Sequence, residues 1–270
     1  MRSISDIIDL QRYPIDRLDS PEAADLIAIC QEALDDTALC RFPGFIKPNA
    51  LEMIVREVSS LEDAAYPYEA SRCAYLERDD TLPDDHPRNL GHSCKYRQVL
   101  SHQISNSSEL RTVYSWPALT EFFRRILNVD RLYQSVCPHM SLTMHFAREG
   151  DGNGWHYDGN DFVVSLLLQA SEQGGEFEYA PNVRSKTDEC YEAVSDVIND
   201  PDQFAERPTL EPGTLTLFKG DLSLHRVRPI GSTARPRIIA VFSYDEQPGH
   251  VFPQGYIDEV RGIAASHDPG

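Results

Sequence analysis

Long apolar runs are missing from this 270-residue chain, so no segment reads as a membrane span. The N-terminus, "MRSISDIIDLQRYPIDRL", alternates apolar and charged residues and lacks the apolar core of a secretory signal. Positive charge is also scarce. Lys and Arg number 25 against 43 Asp and Glu, a formal net charge of -18. That balance argues against nucleic acid or an anionic membrane as partner, since both need a basic surface. There is no C-x-x-C pair. Cys30, Cys40, Cys73, Cys94, Cys137 and Cys190 are scattered, which excludes a zinc knuckle or a redox dithiol. Internal repeats and low-complexity segments are absent too. What remains is ordinary globular texture, 41% hydrophobic and 25% charged. The expectation is a cytoplasmic protein with reduced thiols and a small-molecule substrate; its oligomeric state is not legible.

The first half reads as helices. Ser20 is placed to cap a helix whose first residue is Pro21, and Ala23, Leu26, Ile27, Cys30 and Leu34 recur at helical spacing. A short strand is expected over Ala38 to Phe42, then a helix in "KPNALEMIVREVSSLED". Residues 64–102 are polar, rich in charge and proline, and poorly periodic, so they read as a long irregular region, a lid or a plain loop. "SWPALTEFFRRILNV" presents Leu119, Phe122, Phe123 and Ile126 on one helical face. From Met140 the texture changes. "MSLTMHF", "DFVVSLLLQ", "GEFEYAP", "GTLTLFKG", "SLHRVRPI" and "PRIIAVFSY" are short and β-rich, with one helical insert, "TDECYEAVSDVIND". The fold class is therefore α+β. We expect one domain over 1–270: helical support and lid in 1–139, a β-barrel-like core in 140–246, and a tail in 247–270.

"GWHYDGNDFVVSLLLQ" places His156 and Asp158 two apart at the head of an apolar strand, where strand parity would set both side chains on one face. Two histidines and one carboxylate form a facial triad that leaves coordination positions open, as non-haem Fe(II) oxygenases require. His225 in "GDLSLHRVRPI", 67 residues after Asp158, is the candidate second histidine. Around the triad, Thr143 and His145 alternate with apolar Leu142, Met144 and Phe146 and are candidates to face into the barrel. Trp155, Asn160 and Asp161 flank the H-x-D and are candidate substrate contacts. Arg88, Arg97 and Arg184 are candidate clamps for a substrate carboxylate, and Lys219 with Asp221 reads as a turn.

With "GGEFEYAP" and "PRIIAVFSY", these segments make the chain resemble the Fe(II)/2-oxoglutarate-dependent oxygenases, over about Met140 to Tyr244. The resemblance is to a bacterial branch that acts on free amino acids and includes halogenases and hydroxylases. It implies a double-stranded β-helix, a jelly-roll of cupin type. It makes His156, Asp158 and His225 the catalytic iron ligands, with 2-oxoglutarate and O2 as co-substrates. The far carboxylate of 2-oxoglutarate needs a guanidinium. Arg235 and Arg237 follow His225 by ten and twelve residues and share strand parity, so both stay candidates. Arg237 is favoured because it opens "IIAVFSY", and Thr143 is a further candidate for the co-substrate. Halogenases of the branch carry a small residue where Asp158 stands, so the resemblance implies a hydroxylase with a free amino acid or derivative as substrate. Nucleic-acid demethylases of the superfamily carry a second arginine six residues after the first; here those positions are Val241 and Ser243. Left open are a protein or another metabolite as substrate, desaturation or epimerisation on the same iron, and a β-barrel binding protein with no catalysis.

Overall fold

The computed structural model describes residues 2–75 and 77–263. Within the 247–270 tail, residues 264–270 therefore lie outside the described residues. The helices are α1 (Ile4–Ile7), α2 (Pro21–Thr37), α3 (Pro48–Ser59), α4 (Glu109–Tyr114), α5 (Pro117–Leu127), α6 (Tyr191–Asn199), α7 (Pro201–Phe204) and α8 (Gln254–Val260). The strands are β1 (Leu39–Phe42), β2 (Tyr66–Cys73), β3 (Gly91–Val99), β4 (Tyr133–Gln134), β5 (Leu142–Ala147), β6 (Gly152–His156), β7 (Val163–Gln169), β8 (Phe177–Ala180), β9 (Leu215–Phe218), β10 (Leu224–Val227), β11 (Arg237–Phe242) and β12 (Tyr244–Asp245).

Local chemistry sets the helix ends. The Ser20 hydroxyl accepts the Ala23 amide at 3.2 Å, with Pro21 at the first helical position. α2 stops where Ala38 turns left-handed, at φ 58°, and β1 begins at the next residue. α5 buries Leu119, Phe122, Phe123 and Ile126, and Phe122 meets Phe42 of β1 edge-on at 5.5 Å.

Among the described residues, ten strands form one antiparallel sheet in the order β1-β9-β7-β11-β5-β3-β6-β10-β8, with β2 on the edge of β3. β3 pairs with β5 through Arg97–Val99 and with β6 through Cys94 and Lys95, which makes it the corner where the sheet turns. The curl is tight enough that the two ends of the strand order meet. Phe177 of β8 lies 5.2 Å from Phe218 of β9, ring to ring. The result is the double-stranded β-helix, with helices packed on one outer face.

That outer face is apolar. Leu142, Met144 and Phe146 of β5 and Ile238, Ala240 and Phe242 of β11 join the main core beneath α2, α3 and α5. The inner face carries the alternate residues in register: Thr143 opposite Val241, His145 opposite Ile239, Ala147 opposite Arg237.

One expectation needs correction. Residues 64–102 are not a long irregular region, because β2 and β3 occupy much of them as an eight-pair hairpin. Both strands are half-exposed and polar, and Pro67 stands in β2, so the alternation that marks a strand is blurred. An edge strand tolerates that proline. The barrel consequently takes β1, β2 and β3 from before residue 140. Between the two strands, the described residues 74–75 and 77–90 lack helix and strand.

Candidate metal centre

His225 and His156 are direct cross-strand partners on β10 and β6. Their rings lie 4.0 Å apart, centroid to centroid. Asp158 completes the group. One carboxylate oxygen is 3.8 Å from His156 Nε2 and the other is 3.4 Å from His225 Nε2. One donor atom from each residue falls within 4.8 Å of the other two, a spacing a single metal ion bridges.

The route to this convergence differs from the expectation in one respect. His156 is the last residue of β6, and Asp158 sits in the turn that leads to β7, so strand parity does not bring them together. The turn is held instead by the Asp158 amide, which donates to the Gly220 carbonyl at 3.0 Å. Gly220 is there for space. A Cβ at that position would lie 1.8 Å from an Asp158 carboxylate oxygen.

Each histidine has its tautomer fixed by the same device. His156 Nδ1 is 2.7 Å from the Gly154 carbonyl, and His225 Nδ1 is 2.9 Å from the Ser223 carbonyl. A carbonyl only accepts, so both Nδ1 atoms carry the proton and both Nε2 lone pairs point at the cluster. Burial pushes His156 down to about 4, with His225 adding to the effect. Asp158 goes the other way from burial: desolvation would raise it, but His225 and His156 beside it hold the carboxyl below its ordinary range. Two imidazoles presenting Nε2 and a carboxylate are the donor set of a divalent transition metal.

Arg237 supplies the second observation. It is 6% exposed on the inner face, and burial alone lowers it to about 10, with no carboxylate among the described residues near enough to offset the charge. A buried cation in that state wants an anion. It lines a cavity of about 260 Å³ with Leu167, Gly175 and Phe177. Gly175, at φ +75°, leaves room for it, since a Cβ there would come 3.1 Å from Arg237 Cδ. Arg235, by contrast, is exposed in the turn before β11.

The remaining candidates divide. Thr143 and His145 face inward; His145 stacks on Tyr96 at 4.3 Å, and burial, then Arg237, lowers it to about 4. Trp155 lies in a different cluster, with Ala74, Tyr75 and Tyr157, beneath the Arg226 guanidinium at 4.4 Å. Asn160 is exposed, and Asp161 is paired with Lys186 at 2.7 Å. Arg88 donates to the Tyr191 hydroxyl at 3.2 Å, and Arg97 donates to the carbonyls of Glu62, Asp63 and Ala65. Arg184 binds the Asp221 carbonyl and Glu189, and Lys219 pairs with Asp35.

Sequence reasoning missed Asn153, whose amide nitrogen lies 3.2 Å from His156 Nε2 at the edge of the metal position. It missed Gln98 as well, 2% exposed and opposite His145, with its carboxamide oxygen unpartnered. Neither has a sequence signal; both are found only once the strands are paired.

None of the curated proteins matches the chain. Its fold is that of solved 2-oxoglutarate–Fe(II) oxygenases. A family oxidoreductase from Burkholderia pseudomallei aligns at TM-score 0.51 and 14% identity, over 82% of this chain and 91% of that one. The epimerase SnoN from nogalamycin biosynthesis, solved with Fe3+, α-ketoglutarate and nogalamycin RO, aligns at 0.55 and 12% identity, over 83% and 84%. EctD from S. alaskensis, solved with 2-oxoglutarate and 5-hydroxyectoine, aligns at 0.51 and 17% identity, over 81% and 75%. The model of one protein family, "Halogenase D", matches residues 23–250. That span is most of the chain, and the chain belongs to the halogenase D family.

Proposed function

We propose that the protein is an Fe(II)/2-oxoglutarate-dependent dioxygenase that hydroxylates a C–H bond of a small substrate, a free amino acid or a close derivative. The observation that carries this reading is Asp158. Its carboxylate stands close to both histidines and would take a coordination position on the iron that a halide would otherwise need. In a member of the halogenase D family, a carboxylate kept at this position favours oxygenation.

His156, Asp158 and His225 would hold the iron, and Arg237 the far carboxylate of 2-oxoglutarate. Bound there, iron and 2-oxoglutarate would supply the oxidising chemistry, 2-oxoglutarate being oxidised by O2 to succinate and CO2 with one oxygen atom in the succinate and the other in the substrate hydroxyl. The chain's own part is positional. The Gly154 and Ser223 carbonyls keep the two imidazoles presenting Nε2. Thr143 and His145 share the inner face of β5, and His145 lies near enough to Arg237 and His156 to feel both. His145 is neutral near pH 7, so it serves there as an uncharged donor or acceptor. An amino-acid substrate fits the free amino acids of the resembling branch and the small hydroxylated product in the EctD structure. No helix among the described residues is long and apolar enough to cross a membrane. The six cysteines are unpaired, as suits a reducing cytoplasm.

The test is anaerobic. Metal-free protein receives Fe(II) and 2-oxoglutarate, and the weak visible charge-transfer band of the iron chelate is sought. The band is expected in the parent, absent in His156→Ala, and shifted to much higher 2-oxoglutarate concentration in Arg237→Ala. An amino-acid panel that perturbs the band then identifies the substrate. Absence of any band at saturating iron overturns the reading.

A further inference from the structure

The connection from β8 to α6, residues 181–190, crosses both segments that carry the metal ligands. On the distal side it binds the run that leads to His225. The Asn182 amide donates to the Ser223 hydroxyl at 3.1 Å, the Arg184 amide to the Leu222 carbonyl at 3.3 Å, and Arg184 Nε to the Asp221 carbonyl at 2.7 Å. Ser223 is fully buried, and its own carbonyl sets the His225 tautomer. On the proximal side the Arg184 guanidinium lies 3.8 Å over the ring of Tyr157, the residue between His156 and Asp158. Lys186 then spans the two sides, 2.7 Å from Asp161 and 2.6 Å from Asp221.

These contacts bracket one joint, the place where the Asp158 amide meets the Gly220 carbonyl and where a single Cβ would not fit. Arg184 is fully employed there. Its face covers Tyr157, Nε serves Asp221, and Nη1 serves Glu189 at 2.9 Å. A lysine cannot make the stack and the two directed bonds together.

We propose that Arg184 and Lys186 are positioning residues: they form a cationic strap that locks the Asp158 turn against the His225 segment and so sets the affinity and geometry of the three-ligand site. The proposal rests on the triad being a metal site. It gives two surface-linked cations a part in the chemistry although neither touches a ligand atom.

Co(II) is the probe, because its visible bands report coordination geometry without turnover. Full-length, metal-free protein is titrated with Co(II), and thermal unfolding of each metal-free variant is recorded beside it. The parent is expected to bind and His225→Ala to fail. Arg184→Met is expected to weaken Co(II) by about 10- to 100-fold and to alter the bands, as loss of an outer partner does. Arg184→Lys gives no rescue. Adding Tyr157→Leu to Arg184→Met costs little more, because both changes remove one contact. Lys186 is 67% exposed, so Lys186→Met is expected to weaken Co(II) by only about threefold. Rising salt brings the parent down to meet that variant, since the exposed bridge is screened. If the Arg184 and Lys186 variants keep Co(II) affinity within about twofold and unchanged bands while melting earlier, the strap is only structural and the proposal falls. Should Arg184→Met not fold, Lys186→Met and the salt series decide alone. A parent that binds no Co(II) sinks the triad reading itself, a different failure with a different signature.

Discussion

The two faces of β5 and β11 are made from alternate residues of the same strands, yet they follow opposite rules. Outward, Leu142, Met144, Phe146, Ile238, Ala240 and Phe242 are buried, apolar and complete, each covered by helix. Inward, Thr143 and Arg237 are almost as deeply placed and His145 is part-buried, but the guanidinium has no anion beside it among the described residues. A folded chain normally satisfies what it buries. The outer face is finished by folding; the inner face, with its neutral imidazole and lone cation, waits for ligands.

Substitutions should therefore separate stability from chemistry, face by face. The largest effect belongs to the triad. Asp158→Ala is expected to abolish detectable hydroxylation, a fall of more than about 1,000-fold, and to lower thermal stability only slightly, because the pull of His225 and His156 on the carboxylate is largely offset by its desolvation. Product formation and a melting curve on the same sample check both halves. Phe146→Ala should do the reverse. A phenylalanine 1% exposed in the main core costs about 3–5 kcal/mol when truncated, while the protein that remains folded binds Co(II) as before. If Phe146→Ala instead weakens metal binding in the folded fraction, the two faces are not separable.

Arg237→Met tests the sharpest form of the contrast. It should weaken 2-oxoglutarate by on the order of 100-fold, read from the anaerobic band, since a buried charge pair loses one partner. The same variant, free of co-substrate, should be as stable as the parent or more so, because an unpaired buried cation has gone. A smaller effect is expected from Gly220→Ala. The new Cβ must displace the Asp158 carboxylate, so Co(II) affinity falls by about tenfold with little change in melting.

This division also explains what the sequence revealed. Wherever burial is one-sided and apolar, alternation shows it: β5, β7 and β11 are legible, as are α2 and α5. β2 and β3 are not, because "YPYEASRC" and "GHSCKYRQV" are half-wet edge and corner strands whose hydrogen bonds, not whose side chains, make them strands. The triad residues could be named because the H-x-D, the later histidine and the strand segments around them together resemble a known family, where the H-x-D spacing alone would arise by chance. Their geometry could not. It depends on the register that sets His225 opposite His156, and on a glycine 62 residues beyond Asp158 that leaves room for its carboxylate. Arg184 shows the limit from the other side. From the sequence it is a free cation that could clamp a substrate; in the fold its guanidinium is stacked on Tyr157 and bonded through Nε and Nη1 to Asp221 and Glu189.

The smallest effect is a matter of pH, and it sharpens the same comparison. His145 and His156 ordinarily titrate near 6.5, and burial brings each to about 4 in the folded protein. Between those values the unfolded chain holds more protons than the folded one, so protonation favours unfolding. Metal-free protein should lose stability as pH falls from 6.5 to about 4 and should stop losing it, on this account, below that. Asp158 acts lower down: its carboxyl is held below 3.8, so its contribution disappears only as pH falls beneath that value. Melting temperature against pH would show the two windows. His145→Gln, which keeps a neutral polar side chain on the inner face, should remove about half of the slope in the upper window and none of the lower. An unchanged upper slope would mean that His145 already reaches water in the folded state. The inner face would then be wetter, and better satisfied, than its contrast with the outer face requires.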